Sequence, residues 1–108
     1  MANAYLTPTG VLLGVADTVV YTAPALTGTM VIVYFNNVDT ANRKLNAFVY
    51  TGAGPGADIT RILPTDFTLV KEAQLQLGPI YLPAGYKIAA KCDVANKINA
   101  LPVGVETT

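Results

Sequence analysis

Hydrophobic and polar residues alternate with a period of two along several short stretches of the chain, as in β-strands with one buried face. The clearest stretch is Lys87–Asp93, where Ile88, Ala90 and Cys92 point to one side and the charged residues point to the other. Two more stretches alternate in the same manner, Gln74–Leu77 and Leu45–Tyr50. Each of these stretches is predicted to be a strand with one face in the core.

The stretch Thr29–Asn36 is apolar on both sides of the predicted strand. Val31, Val33 and Phe35 form one side, and the opposite side is formed by Met30, Ile32 and Tyr34. A strand of this kind has to be covered on both faces. Since a two-layer sandwich covers only the inner face, the second set predicts an interface with a loop or with another chain.

Glycine and proline residues divide the rest of the sequence into pieces of about five to ten residues, which are too short for long helices. Between them lie runs of Val, Ile, Thr, Tyr and Phe, which favour strands. The pattern predicts an all-β fold, a two-layer antiparallel β-sandwich of about eight strands with jelly-roll-like connections. The remaining predicted strands are Val11–Leu13, Thr18–Thr22, Ile59–Leu63, Pro79–Leu82 and Asn96–Val105, the last interrupted at Pro102.

Two kinds of segment lie between these strands. Pro64–Ala73 is compatible with a helical turn or with a strand, and the sequence leaves both open. The stretches Asn36–Asn42 and Thr51–Asp58 are predicted to be surface loops. We expect one domain over residues 10–108, preceded by an apolar N-terminal arm over residues 1–9.

The chain carries little charge for its size. Only 13% of its 108 residues are charged, the seven basic and seven acidic residues cancel, and 52% are hydrophobic. This balance gives no electrostatic case for binding nucleic acid or an anionic membrane, and a net charge near zero favours self-association. The most apolar run, Met30–Phe35, is far shorter than the roughly 18 residues that span a bilayer.

The side chains of most enzyme active sites are missing from the sequence. It contains no histidine, serine or tryptophan and one cysteine, Cys92, so a Ser-His or Cys-His nucleophile and a zinc site are excluded. Cys92 is predicted to be a buried apolar residue. A lone cysteine cannot form an intrachain disulfide, and the N-terminus does not resemble a signal peptide, so we expect an intracellular site of synthesis.

The sequence offers only weak candidates for a glycosidase, calcium or phosphate-binding site. The carboxylates Asp58, Asp66 and Glu72 could form a glycosidase pair, but solvated loop charges are the simpler interpretation. No EF-hand pattern surrounds Asp39 or the other loop carboxylates, and Gly52–Gly56 lacks the Lys-Ser or Lys-Thr of a phosphate-binding loop. The sequence therefore predicts no enzymatic activity, no metal and no cofactor.

Five segments follow one another along the chain in a recognisable order: Thr18–Ala25, a hydrophobic strand ending in Asn36-Asn37, Lys44–Tyr50, Leu77–Lys91 and the ending Val103–Glu106. This order resembles that of the small β-sandwich virion proteins of tailed bacteriophages. The chain departs from that pattern at Tyr86, where an acidic residue is usual, and in its glycine-rich loop. The resemblance implies a structural protein of the virion, most similar to capsid decoration, or cement, proteins.

This resemblance implies a homotrimer on the capsid surface that binds between subunits of the major capsid protein and stabilises the head. The apolar arm, which we expect to lie across another chain, supplies Tyr5 and Leu6 as candidate interface residues. The outward side of the two-sided strand supplies Met30, Ile32 and Tyr34.

Two alternatives stay open at this stage. One is a tail, neck or baseplate component of the virion with the same fold. The other is a carbohydrate-binding host-attachment module, in which exposed tyrosines such as Tyr50 or Tyr81 would stack on sugars beside the loop Thr51–Asp58.

Overall fold

The computed structural model describes residues 3–25, 28–52 and 61–107, and in this part of the chain all regular structure is β-strand. The strands are β1 (Asn3–Tyr5), β2 (Val11–Leu12), β3 (Thr18–Thr22), β4 (Gly28–Asn37), β5 (Arg43–Tyr50), β6 (Phe67–Leu69), β7 (Gln74–Leu82), β8 (Lys87–Cys92) and β9 (Ile98–Thr107).

The strands form two antiparallel sheets. Sheet A has the order β1-β9-β4-β7, with β2 also paired to β9, and sheet B has the order β3-β8-β5-β6. The two sheets enclose the core between them, so the predicted all-β, sandwich-like architecture is confirmed.

The core contains the side chains that alternation assigned to it. Val31, Val33 and Phe35 of β4 are fully buried, and so are Ile88 and Ala90 of β8, with Cys92 only 2% exposed. Burying one such aliphatic or aromatic side chain contributes about 1.5–3 kcal/mol. The inward faces of these two predicted strands are therefore confirmed.

Strand β5 is buried on both sides, where one buried face was predicted. Leu45 and Ala47 point into the core, but Phe48 and Tyr50 on the opposite face are also buried. Arg61, which forms a β-bridge with Phe48, lies over its ring at 4.9 Å from the centroid. Residues 61 and 62 thus continue the edge of sheet B, and the side chain of Arg61 covers the ring of Phe48 on its outer side.

Strand β9 runs unbroken through Pro102, contrary to the predicted interruption. The carbonyls of Ile98 and Gly104 accept hydrogen bonds from Leu13 and Leu6, on the side of β9 away from β4. Because alternate residues orient their backbone groups alike, the nitrogen of Pro102 points to that side as well. There it lies in the gap between β2 and β1, where no ladder hydrogen bond is lost.

The two strands predicted over 74–77 and 79–82 form the single strand β7, joined by a β-bulge. Val33 pairs with Leu77 and Val31 pairs with Ile80, so that Gly78 and Pro79 together lie opposite Ile32. Gly78 has a φ of 113°, a conformation that strongly favours glycine. The bulge lets the strand continue where the sequence suggested a turn.

The N-terminal arm joins sheet A of its own chain. Residues Asn3–Tyr5 pair with Val105–Thr107 of β9, although the arm was expected to lie across another chain.

The segment Pro64–Ala73, for which the sequence leaves a helical turn and a strand open, contains strand β6 and no helix. In the predicted strand Ile59–Leu63, residues 59 and 60 lie outside the described residues, as do residues 53–58 of the predicted glycine-rich loop.

Candidate functional site

The side of sheet A that faces away from the core collects apolar residues from all five of its strands. Residues directly opposite each other in an antiparallel pair share a face, so the register defines this set. Tyr5, Val105, Met30 and Tyr81 form one row across four strands, and Leu101 and Tyr34 are opposite each other further along. We call this surface the outer face of sheet A; its apolar members are Tyr5, Leu12, Met30, Ile32, Tyr34, Tyr81, Leu101, Val103 and Val105.

Several of these side chains are open to solvent. Tyr5 is 88% exposed, Tyr81 60%, Leu12 54% and Met30 48%, while Ile32 and Tyr34 are partly buried by their neighbours. Single exposed apolar residues are ordinary on protein surfaces, but contiguous patches of several such residues mark contact sites.

The outer face of sheet A carries no charge. Among the residues that the structure describes, the strands of this sheet contain one charged residue, Glu106 of β9. Glu106 is opposite the buried Thr29 on the inner face. By contrast, the strands of sheet B contain the basic residues Arg43, Lys44, Lys87 and Lys91. The two outer surfaces of the sandwich therefore differ sharply in electrostatic character.

A row of side-chain amides borders the apolar residues at the far end of the face. The Asn36 amide group donates to Oδ1 of Asn99 at 2.9 Å, and Gln74 Nε2 donates to Oδ1 of Asn36 at 2.9 Å. This row crosses β9, β4 and β7 and leaves further amide donors and acceptors for an external partner. The outer face is thus apolar at the Tyr5 end, and at the Asn36 end it is neutral and polar apart from Leu12, which lies opposite Asn99.

A hydrogen-bonded cluster ties the two sheets together behind this face. The hydroxyl of Tyr21, on β3, lies 2.9 Å from Oγ1 of Thr29 and donates to Oε2 of Glu106 at 2.6 Å. Partial burial, followed by the hydrogen bond to Glu106, raises the pKa of Tyr21 to about 12. The contact between Tyr21 and Glu106 anchors the end of β9.

Two glycines give the outer face its local shape. A side chain at Gly28 would collide with the ring of Tyr81, so glycine leaves room for that ring beside β4. A side chain at Gly104 would collide with the backbone carbonyl of Met30, so glycine permits the close approach of β9 and β4. The position of the Tyr81 ring depends on Gly28, and the close pairing of β9 with β4 depends on Gly104.

Cys92, Asp39 and Asp66, the candidate reactive residues of the sequence, are not on the outer face of sheet A, and each is buried or makes contacts within the fold. Burial raises the pKa of the Cys92 thiol, which disfavours the reactive thiolate. The hydrogen bond from Arg43 lowers the pKa of Asp39, whose carboxylate lies 2.6 Å from the guanidinium group. Asp66 accepts a hydrogen bond from Asn46 at 3.1 Å.

The remaining candidate carboxylates form no visible cluster. Glu72 is exposed beyond β6, and Asp58 lies outside the described residues. Among the residues that the structure describes, no group of three potential metal ligands is found. A surface cleft of about 190 Å³ mixes the basic Lys44 and Lys91 with Asp66 and Asp93, so its charges favour neither anions nor cations.

Four of the five predicted interface residues lie on the outer face of sheet A. Tyr5, Met30, Ile32 and Tyr34 come together there, with Tyr5 and Met30 in the same row. Leu6 does not, because it follows Tyr5 along a strand-like path and its side chain turns into the core, where it is 7% exposed. Its amide donates to the carbonyl of Gly104 at 3.0 Å, which fixes that orientation.

Sequence reasoning missed the contribution of β9 and the part played by Tyr81. The alternation of Leu101, Val103 and Val105 with small residues was the available signal, but Pro102 suggested a strand end. Of the two tyrosines considered for sugar stacking, Tyr50 is buried and Tyr81 is exposed.

Comparisons with known proteins leave this surface as the main guide to function. No protein-family model matches the chain, and no curated protein or solved structure matches it significantly. Within the described ranges, no helix is long and apolar enough to cross a membrane.

Proposed function

We propose that this protein is a non-enzymatic structural component of a bacteriophage virion, a capsid decoration protein that stabilises the head through contacts with other protein chains. The observation that carries the proposal is the outer face of sheet A, where several apolar side chains are exposed and the described strand residues that point outward are all uncharged. Charged residues are depleted and aromatic residues and methionine are enriched at the centres of protein interfaces, as they are on this face.

The physical chemistry of the face supports protein binding over catalysis. Burying Tyr5, Met30 and Tyr81 against a partner would remove apolar area from water at about 25 cal/mol for each Å². A shell repeats such a contact many times, so modest individual contacts add up to a substantial stabilisation of the assembly. With no histidine or serine in the sequence, the common nucleophile–base pairs have no counterpart here.

The resemblance in segment order supports the proposed location of the protein on the capsid. It favours a sandwich of the jelly-roll type that sits on the capsid exterior between subunits of the major capsid protein, after synthesis in the host cytoplasm. The short hydrogen bond between Tyr21 and Glu106 joins two of the segments that carry this resemblance.

Mixing the purified protein with heads that lack it tests the proposal. We expect saturable binding, visible as co-sedimentation, and an increased temperature at which the heads rupture. The control variant is Val19→Lys, which we expect to bind heads as the unmodified protein does. Val19 is 45% exposed on sheet B and lies away from the outer face of sheet A. Failure of the unmodified protein to bind heads would contradict the proposal.

The number of copies in each virion separates the head from the tail. Hundreds of copies support decoration of the head, whereas about a dozen or fewer indicate a tail, neck or baseplate component with the same fold. Quantitative mass spectrometry of purified virions gives this number directly.

A further inference from the structure

The ring of Tyr81 lies across a neighbouring strand of sheet A. Tyr81 pairs with Met30, and Gly28 is two residues further along β4 on the same face. A Cβ atom added to Gly28 would lie 3.0 Å from both Cε1 and Cζ of Tyr81, and it would also meet the Tyr81 hydroxyl oxygen. The hydroxyl end of the ring therefore occupies the space that a side chain at position 28 would fill, while Tyr81 remains 60% exposed.

The other strongly exposed side chains of the outer face are on shorter strands or are more flexible. Tyr5 and Leu12 are on β1 and β2, which contain three and two residues. Met30 is on a long strand, but its unbranched thioether side chain has three rotatable bonds. A side chain that becomes ordered only on binding loses conformational entropy, whereas a tyrosine ring that is already in place loses little more.

We propose that Tyr81 is the main anchor of the contact with heads, and that Gly28 is a positioning residue that holds its ring ready for the partner. The inference rests on the proposed function, because it names the residue that contributes most to the affinity for heads. Binding energy in protein interfaces is concentrated in a few residues, among which tyrosine is enriched. The site on the capsid that fits this ring is an apolar pocket with a hydrogen-bonding group for the hydroxyl.

The contact between Gly28 and Tyr81 can be removed without removing the ring. The three nearest atoms that a Cβ atom at Gly28 would meet all belong to the Tyr81 side chain, which can turn away while β4 and β7 stay paired. At Gly104, by contrast, the nearest atoms belong to the backbone of Met30 and Val31. Gly28→Ala should therefore move the ring and leave the fold intact, which circular dichroism and thermal unfolding check.

Binding of heads by tyrosine variants tests the anchor. Tyr81→Ala should raise the dissociation constant at least about 30-fold, as at interface hot spots. Tyr81→Phe keeps the ring over Gly28 and should bind within about tenfold of the unmodified protein, since it loses one hydroxyl group.

The matched control is Tyr5→Ala, which removes the same kind of side chain from the same face. We expect it to raise the dissociation constant less than about fivefold, because Tyr5 is 88% exposed and its ring has to be ordered on binding. A loss of less than about fivefold in Tyr81→Ala, or a larger loss in Tyr5→Ala than in Tyr81→Ala, would overturn the anchor.

A double-mutant cycle tests the role of Gly28. Gly28→Ala alone should raise the dissociation constant about tenfold, because the displaced ring has to be reordered on binding. In a protein that already carries Tyr81→Ala, the same substitution should have no effect, since no ring remains to be displaced. Equal effects in both proteins would show that Gly28 acts on the fold and not through Tyr81, which would overturn its positioning role.

These measurements separate the inference from the proposed function. If the unmodified protein fails to bind heads, the proposed function is contradicted and the anchor with it. If the unmodified protein and Tyr81→Ala bind heads equally well, the anchor alone is overturned and the proposed function stands.

Discussion

At the scale of single residues, the contact among Tyr21, Thr29 and Glu106 shows how polar groups join the two sheets. Thr29 is fully buried, and its hydroxyl has the Tyr21 hydroxyl as a neighbour at 2.9 Å. Glu106 is the single charged residue of the sheet A strands as described, and it is turned inward by the same contact. The register of β9 places Glu106 on the inner side of sheet A, opposite Thr29, and the hydrogen bond from Tyr21 gives the carboxylate a partner there.

Replacing Tyr21 by Phe should destabilise the fold and change its response to alkali. The substitution removes both hydrogen bonds and leaves the polar groups of Thr29 and Glu106 without this partner, at a cost of about 1–3 kcal/mol. The folded-state pKa of Tyr21 is raised to about 12 from an ordinary value of 10.0. The hydroxyl thus contributes stability that is fully present below pH 10.0 and is lost as the pH rises towards 12.

Urea unfolding between neutral pH and pH 12 measures this contribution. A pKa difference of about two corresponds to at most about 2.7 kcal/mol, which the partial exposure of the ring reduces to about 1 kcal/mol. The unmodified protein should lose that much more stability than Tyr21→Phe above pH 10. Equal alkaline losses in the two proteins would show that Tyr21 titrates as it does in the unfolded chain.

At the scale of elements, the continuity of β7 and β9 determines how much of sheet A is available to a partner. Each strand contains a residue that ordinarily ends a strand, Pro79 or Pro102, and each continues past it. In β9 the proline faces a gap between neighbouring strands, whereas in β7 it forms the bulge together with Gly78. These two local solutions keep the outer face continuous from Leu101 to Val105 and across to Tyr81.

A series of glycine-to-alanine substitutions should measure what the β7 bulge requires. At Gly78 a Cβ atom would lie 2.8 Å from the carbonyl oxygen of Val31, and the φ of 113° is also unfavourable for alanine. Gly85 has a φ of 83° but open space around it, and Gly10 has open space and no positive φ. We expect losses of at least about 2 kcal/mol at Gly78, about 1 kcal/mol at Gly85 and almost none at Gly10.

Thermal or urea unfolding of the three variants checks this order. Gly85→Ala isolates the cost of backbone conformation, so the additional loss in Gly78→Ala reports the steric contact with β4. If Gly78→Ala were no less stable than Gly85→Ala, the close approach of the bulge to Val31 would not constrain the sheet.

Some of the outer face could be predicted from the sequence, because its signal is local. Met30, Ile32 and Tyr34 alternate with three other apolar residues within one stretch, and that pattern alone requires cover on both sides. The rest depends on pairing between distant segments. Tyr5 reaches the face only through its pairing with Val105, from the opposite end of the chain, and Tyr81 reaches it only because a bulge shifts the register of β7. Periodicity within a stretch contains no information about either contact.

At the scale of the whole molecule, charge is segregated between the two sheets. Among the described residues, the strands of sheet A carry one carboxylate, which points inward. The strands of sheet B carry four basic residues and no acidic one. The sandwich therefore presents one surface suited to contact with apolar protein and another suited to water. In an assembly, this difference favours a single orientation, with sheet A against protein and the basic side chains of sheet B exposed.

Association through the outer face of sheet A should consequently be almost independent of sodium chloride concentration. Ion pairs across an interface are screened over about 10 Å at 0.1 M salt, so interfaces that depend on them weaken as salt is added. Here no charged side chain lies on the face, and the association constant should change less than about threefold between 0.05 and 0.5 M sodium chloride. Sulfate at equal ionic strength should strengthen association, since it is excluded from protein surfaces and favours apolar burial. Isothermal titration or sedimentation in the two salts provides the measurement, and a tenfold weakening in sodium chloride would indicate that the basic surface of sheet B, with Lys44, Lys87 and Lys91, makes the contact instead.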